Sequence, residues 1–168
     1  MASKKPKTIP ERRKREGKTN YKKRLHLLLA KKPRLVVRTT NKKIIVQIIT
    51  YQAKGDIIEV GVNSTTLKKQ GWNHSYKNIP AAYLTGYLAG KKALEKNIKE
   101  AILDLGFKSP LKGNKIYACL KGVIDAGVDI PHSPEIFPSE ERIAGKHIQD
   151  YKKESKITEI FNKIKNEL

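Results

Sequence analysis

The spacing of apolar and polar positions changes several times along the chain, and each change marks an element. Residues 2–18 hold one large apolar side chain, Ile9, and show no periodicity. A segment that can bury so little cannot offset its chain entropy, so on its own it is expected to lack stable structure. Thr19 or Asn20 is placed to cap a helix over residues 21–30, with Leu25, Leu28 and Leu29 as its apolar stripe and Pro33 beyond its end. Residues 34–39 are rich in β-branched side chains, and Thr40-Asn41 reads as a turn. In residues 44–51 both alternating sets are mostly apolar, Ile44, Val46 and Ile48 on one face and Ile45, Gln47 and Ile49 on the other. That pattern predicts a strand covered on both sides. Lys54-Gly55-Asp56 turns the chain into a third strand over residues 57–62, and links this short make an antiparallel meander.

Residues 71–78 form a polar loop around Trp72, and Pro80 suits the first turn of a helix running to about Lys96. Within it Gly86 and Gly90 each cost about 1 kcal/mol of helix propensity, which points to close approach of a neighbouring element. Asn97 is expected as a left-handed cap, residues 101–106 as a short buried strand, and Asn114 as the cap of a helix over residues 115–126 that stops at Gly127. A Pro-rich link follows, then a helix capped by Ser139 and a last helix over residues 153–167 with Ile157, Ile160, Phe161 and Ile164 on one stripe. The order predicts an α/β fold of three layers around a mixed sheet. It comprises a three-strand antiparallel meander, then helix, strand and helix, with a basic N-terminal arm and C-terminal helices. The expected divisions are an arm over residues 1–20, a core over 21–131, and a link with C-terminal helices over 132–168 packed on the core or on a binding partner.

Charge changes the picture most. The chain of 168 residues carries 36 Lys and Arg against 16 Asp and Glu, a net of +20. Residues 1–43 hold 17 basic and 2 acidic side chains, so most of the excess lies in the first quarter. Such a body repels itself unless it meets a polyanion, and nucleic acid is the first candidate. No apolar run reaches the roughly 18–20 residues that span a bilayer, so no membrane partner is expected. The single cysteine, Cys119, fits a reducing cytoplasm.

Catalytic chemistry has little to rest on. The chain lacks a Gly-rich phosphate loop, and His26, His74, His132 and His147 are scattered without metal-ligand spacing. The alternative is a metal-dependent nuclease of ribonuclease H-like topology, which would gather carboxylates at strand ends. Asp104 and Glu59 are the only acids so placed, and the first strand brings two arginines instead. Binding is the stronger reading. Arg12, Arg13 and Arg15 offer forked donors to phosphate, Lys14, Lys18 and Lys22 add point charges, and Tyr21 is the nearest aromatic for stacking on a base or ribose. Arg24 on the first helix, and Arg34, Arg38, Asn41, Lys42 and Lys43 on the first hairpin, extend this set. No cofactor or metal is expected.

Several blocks also resemble a known family. The run from Arg12-Arg13-Lys14-Arg15-Glu16-Gly17 to Lys18-Thr19-Asn20-Tyr21 is similar to the arm signature of the large-subunit ribosomal protein eighteen family. Lys32-Pro33-Arg34-Leu35-Val36-Val37-Arg38 resembles its first hairpin, and Pro80-Ala81-Ala82-Tyr83-Leu84-Thr85-Gly86 its main helix. Leu103-Asp104-Leu105-Gly106, Asp129-Ile130-Pro131-His132 and the block from Arg142-Ile143 to His147-Ile148 follow in the same order. The helix and Pro131-His132 blocks look like archaeal and eukaryotic members, and the want of a long eukaryotic C-terminal extension points to the archaeal type. Asn20 stands where the family usually has Asp, and Lys146 where it usually has Glu. The resemblance implies a cytoplasmic, non-catalytic protein of the large ribosomal subunit that binds 5S ribosomal RNA in the central protuberance. Its implied partners are 5S rRNA, large-subunit rRNA and neighbouring ribosomal proteins, including the other 5S-binding protein, number five. It also implies that Gly86 and Gly90 serve packing of helix on sheet, and that Asp104 is structural.

Overall fold

The computed structural model describes residues 8–152 and 156–168. The first element among the described residues is a single helical turn, α1 (Arg12–Arg15), which buries no residue. Next comes α2 (Tyr21–Leu29), where the Asn20 side chain accepts a hydrogen bond from the Lys23 amide at 3.1 Å. Strands β1 (Arg34–Thr39), β2 (Ile44–Thr50) and β3 (Ile57–Asn63) then form the antiparallel meander. After a 3-10 helix over Ser64–Gln70, which the sequence pattern does not announce, α3 (Ile79–Glu95) crosses the sheet. It delivers β4 (Ile102–Asp104) parallel to β1, so the strand order is β3-β2-β1-β4. Asn97 adopts φ +59° at the exit of α3, the left-handed stop its residue type favours.

Leu35, Val37, Ile44, Val46, Ile48, Val60 and Val62 form the buried face of the sheet, against which α3 and α4 (Lys115–Asp125) pack. The Asn114 side chain caps α4 by accepting from the amides of Ile116 at 2.8 Å and Tyr117 at 3.1 Å. The opposite face of β2 is less covered than its apolar pattern suggests. Ile45, Gln47 and Ile49 are only half-buried, because the short α2 crosses this side across an open cleft. The stripe expected on α2 is also not buried. Leu27 and Leu28 turn inward, while Leu25 and Leu29 remain 59% and 68% exposed.

The glycines of α3 do meet a close neighbour, but it is α4 and not the sheet. A Cβ on Gly86 would fall 2.1 Å from the Cys119 carbonyl oxygen, and one on Gly90 would fall 2.6 Å from the Ala126 Cβ. From the other side, a Cβ on Gly122 would fall 2.2 Å from the Tyr83 carbonyl oxygen. The two backbones approach so closely that only hydrogen fits between them.

Beyond Pro131, three short helices add to the same core: α5 (Glu140–Ala144), α6 (Lys146–Tyr151) and α7 (Ile157–Glu167). Ser139 precedes α5 but makes no side-chain cap bond, and Gly145 at φ +89° splits the expected single helix into α5 and α6. In α7 the expected stripe buries Ile157, Phe161 and Ile164, with Ile160 half-buried and the Phe161 ring 5.5 Å from that of Tyr83. Residues 153–155 of the expected last helix lie outside the described residues, as do residues 1–7 of the arm.

Candidate nucleic-acid interface

The arm folds back on the start of α2. Gly17 at φ +62° turns the chain, and the Lys18 and Thr19 amides both donate to the Arg13 carbonyl. The Arg13 Nε donates to Thr19 Oγ1 at 2.9 Å, which holds the turn against the cap of α2. Glu16 accepts from Lys18 at 2.7 Å and lies 3.6 Å from Arg12. All of residues 11–18 are exposed, and among the described residues no carboxylate lies within ion-pair reach of Lys14 or Arg15. Tyr21 and Lys22 are exposed one turn further on. The structure thus brings Arg12, Arg13, Lys14, Arg15, Lys18, Tyr21 and Lys22 onto one end of the molecule. Asn41 and Lys42 are exposed in the β1–β2 turn, where Thr40 Oγ1 accepts from the Lys43 amide at 3.0 Å.

The remaining arginines lie elsewhere and do different work. Residues 34, 36 and 38 of β1 share the face opposite α3, so Arg34 and Arg38 point toward α2. Arg34 is 3% exposed, and its terminal nitrogens donate to Asp104 at 2.9 Å and to Asp56 at 2.5 Å. Asp56 in turn accepts both nitrogens of Arg24, at 2.8 and 2.7 Å, in a bidentate pair. Asp104 accepts from Arg38 at 3.0 Å and from the Gly106 amide at 2.8 Å, while the other Arg38 nitrogen donates to the Asp104 carbonyl at 2.7 Å. A chain of alternating charge therefore runs Arg24, Asp56, Arg34, Asp104, Arg38, joining α2 to β1, β4 and the turn before β3. The Arg24 guanidinium holds the Asp56 carboxyl below its ordinary range, and Asp56 raises Arg24 in return. Gly106 at φ +60° leaves room for Arg38, since a Cβ there would fall 2.9 Å from the guanidinium carbon.

Sequence reasoning placed Arg24, Arg34 and Arg38 with the RNA-facing cations. The structure places Arg34 inside the protein with both terminal nitrogens on carboxylates, Arg24 in a bidentate pair, and Arg38 with its side chain 40% exposed. Asp56, first read as a turn residue only, organises two of them. The available signal was the pair of arginines four apart on one face of a β-strand, which calls for acids on neighbouring strands. Between the network and the arm lies a cleft of about 690 Å³, bordered by Arg13, Lys18, Lys23 and Lys108.

The strand order matches the nuclease alternative, but the chemistry does not. Both carboxylate oxygens of Asp104 are engaged by arginines. Among the described residues no cluster of three His, Cys, Asp or Glu side chains could hold a metal ion.

The model of a family described as "Ribosomal large subunit proteins 60S L5, and 50S L18" matches residues 7–101 and 95–133 of the chain. The chain belongs to this family. A "Large ribosomal subunit protein uL18" of Korarchaeum cryptofilum is 55% identical over 140 residues, covering 83% of this chain and 72% of its own length. The protein of the same name from Methanothrix thermoacetophila is 52% identical over 143 residues, 85% of each chain. Both relatives are archaeal, and the chain is of that type. As a member of the uL18 family it is a structural ribosomal protein and not an enzyme. Lys146 reaches Glu141 at 2.9 Å in an exposed ion pair.

Proposed function

We propose that the protein binds 5S ribosomal RNA through its arm and helps attach that RNA to the large ribosomal RNA in the central protuberance of the large subunit. The observation that carries this reading is the exposed cluster over residues 12–18, folded against the cap of α2 and mostly free of acidic partners. Forked guanidinium groups on an exposed turn suit phosphate oxygens, and Tyr21 beside them offers a stacking face. Asn41 and Lys42 supply a further contact from the hairpin tip. Arg24 and Arg34 hold α2 against the sheet, and Arg38 keeps part of its guanidinium available at the edge of the cleft. Large-subunit rRNA and the other 5S-binding protein, number five, are neighbours in this reading, and the protein works in the cytoplasm.

Titration of the full chain with labelled 5S rRNA, in competition with transfer RNA, tests the reading. The 5S rRNA should bind with the higher affinity at every salt concentration, and it should remain intact when Mg²⁺ or Mn²⁺ is added. Equal binding of the two RNAs would contradict 5S recognition.

A further inference from the structure

A second cluster of cations lies outside the arm, the first helix and the hairpin. Lys108 follows β4, Lys115 opens α4, Arg142 belongs to α5, and Lys77 precedes α3. Lys108, Lys115 and Arg142 line one cleft of about 400 Å³, whose floor includes the buried Ile79 and Ile116. Lys77 is close enough to Lys115 for its charge to lower the Lys115 pKa, an effect second to burial of that ammonium. Among the described residues none of these four side chains has a carboxylate within 4.0 Å. Two of the acids on flanking segments are committed elsewhere, Glu141 to Lys146 and Glu135 to Lys112, each at 2.9 Å. Asn114 already caps α4 with its own side chain, so the cations and not the helix end make the site.

Three like charges gathered around one cleft repel one another, and an anion bound there would relieve that repulsion. Their location shows which anion. Lys108 also lines the larger cleft beside Arg13 and Lys18, so the two clefts adjoin at this residue and the cationic surface is continuous. An extended polyanion lying on the arm would reach the second cluster, whereas a small anion would have no use for the continuity. Phe107, 57% exposed beside Lys108, offers a flat face for a ribose or base along the way.

We propose that Lys108, Lys115 and Arg142, supported by Lys77, form a second phosphodiester-binding surface that continues the arm and holds the same RNA. The inference rests on the RNA-binding reading above and extends it to a surface that meets the arm's cleft at Lys108. Neutralising three cations should remove up to three counterion-release steps.

The test uses the full chain with Lys108→Ala, Lys115→Ala and Arg142→Ala combined. Its probes are labelled 5S rRNA and an RNA duplex of mixed sequence, each titrated across a salt series. The triple variant should bind 5S rRNA about tenfold or more weakly near 0.1 M salt, and its slope of log K against log salt should be about two units shallower. A charge-keeping variant, with both lysines as arginine and Arg142 as lysine, should bind as wild type, which separates lost charge from lost fold. Wild-type affinity and slope in the triple variant would overturn the proposal and leave the cluster to an acidic protein partner. Failure of the 5S reading looks different: wild type would bind the duplex and 5S rRNA alike. The slope of the triple variant on the duplex would then still decide whether this surface grips phosphodiesters.

Discussion

Asp104 accepts from two arginines and one backbone amide, and it is the acid on which the charge network depends most. Removing it would leave Arg34, only 3% exposed, with one partner in place of two. A buried charge stripped of a partner is costly, so Asp104→Ala should destabilise the protein by about 3–5 kcal/mol in denaturant titration. A cost within about 0.5 kcal/mol, the range of surface changes, would mean that the network contributes nothing to stability. Asp56 gives a pH signature. Its folded pKa is depressed below the ordinary 3.8, chiefly by the hydrogen bonds from Arg24. Its stabilising contribution is therefore complete above that value and is lost as pH falls through the lower folded pKa. Asp56→Asn should flatten the acid limb of the stability curve below about pH 4, and an unchanged limb would contradict the pairing. This is also the scale at which the sequence was least legible. The run of cations on β1 read as an RNA-facing surface because their acids lie far away in the chain, Asp104 being 70 residues from Arg34. Charge composition reports how many cations a segment holds, but not which of them are already answered from within.

At the scale of elements the pattern was far more legible, for reasons that can be named. Asn20, Asn97 and Asn114 act at helix ends as their residue type predicts. The strands lie within one residue of the expected bounds along the meander because β-branched runs and turn signals agree there. What periodicity cannot supply is the partner of a surface. Gly86 and Gly90 signalled a close approach, yet nothing in the sequence said that α4 and not the sheet would come so near. Likewise the apolar back of β2 could not reveal that α2 is too short to seal it. The helix contact yields a prediction opposite to that of helix propensity. Alanine is favoured over glycine by about 1 kcal/mol in an exposed helix interior. At Gly86 the new Cβ would meet the Cys119 carbonyl oxygen at 2.1 Å, and that neighbour is backbone. Gly86→Ala should therefore lower stability by about 1–3 kcal/mol, the ordinary cost of overpacking. A gain in thermal midpoint would show that α3 and α4 do not approach as described.

For the whole molecule, the sheet with α3, α4 and α7 forms a closed apolar core, and the excess charge is carried on its outside. The arm holds the densest part of that excess, and the internal network fixes the helix from which the arm springs. Its cations should bind mainly through phosphates, since no pattern of Asn, Gln or spaced Arg there suggests base reading. Tyr21→Ala serves as the contrasting variant. Loss of a stacking face should cost about 1–3 kcal/mol of RNA affinity and leave the salt dependence as it was. The most direct measurement of the central claim is the salt dependence of 5S rRNA binding by the variant with Arg12, Arg13, Lys14 and Arg15 all replaced by alanine. Affinity should fall, and the slope of log K against log salt should flatten by up to about three units, at roughly 0.7–0.9 per phosphate released. Affinity and slope both equal to wild type would contradict the account and reduce the arm to a solvated tail.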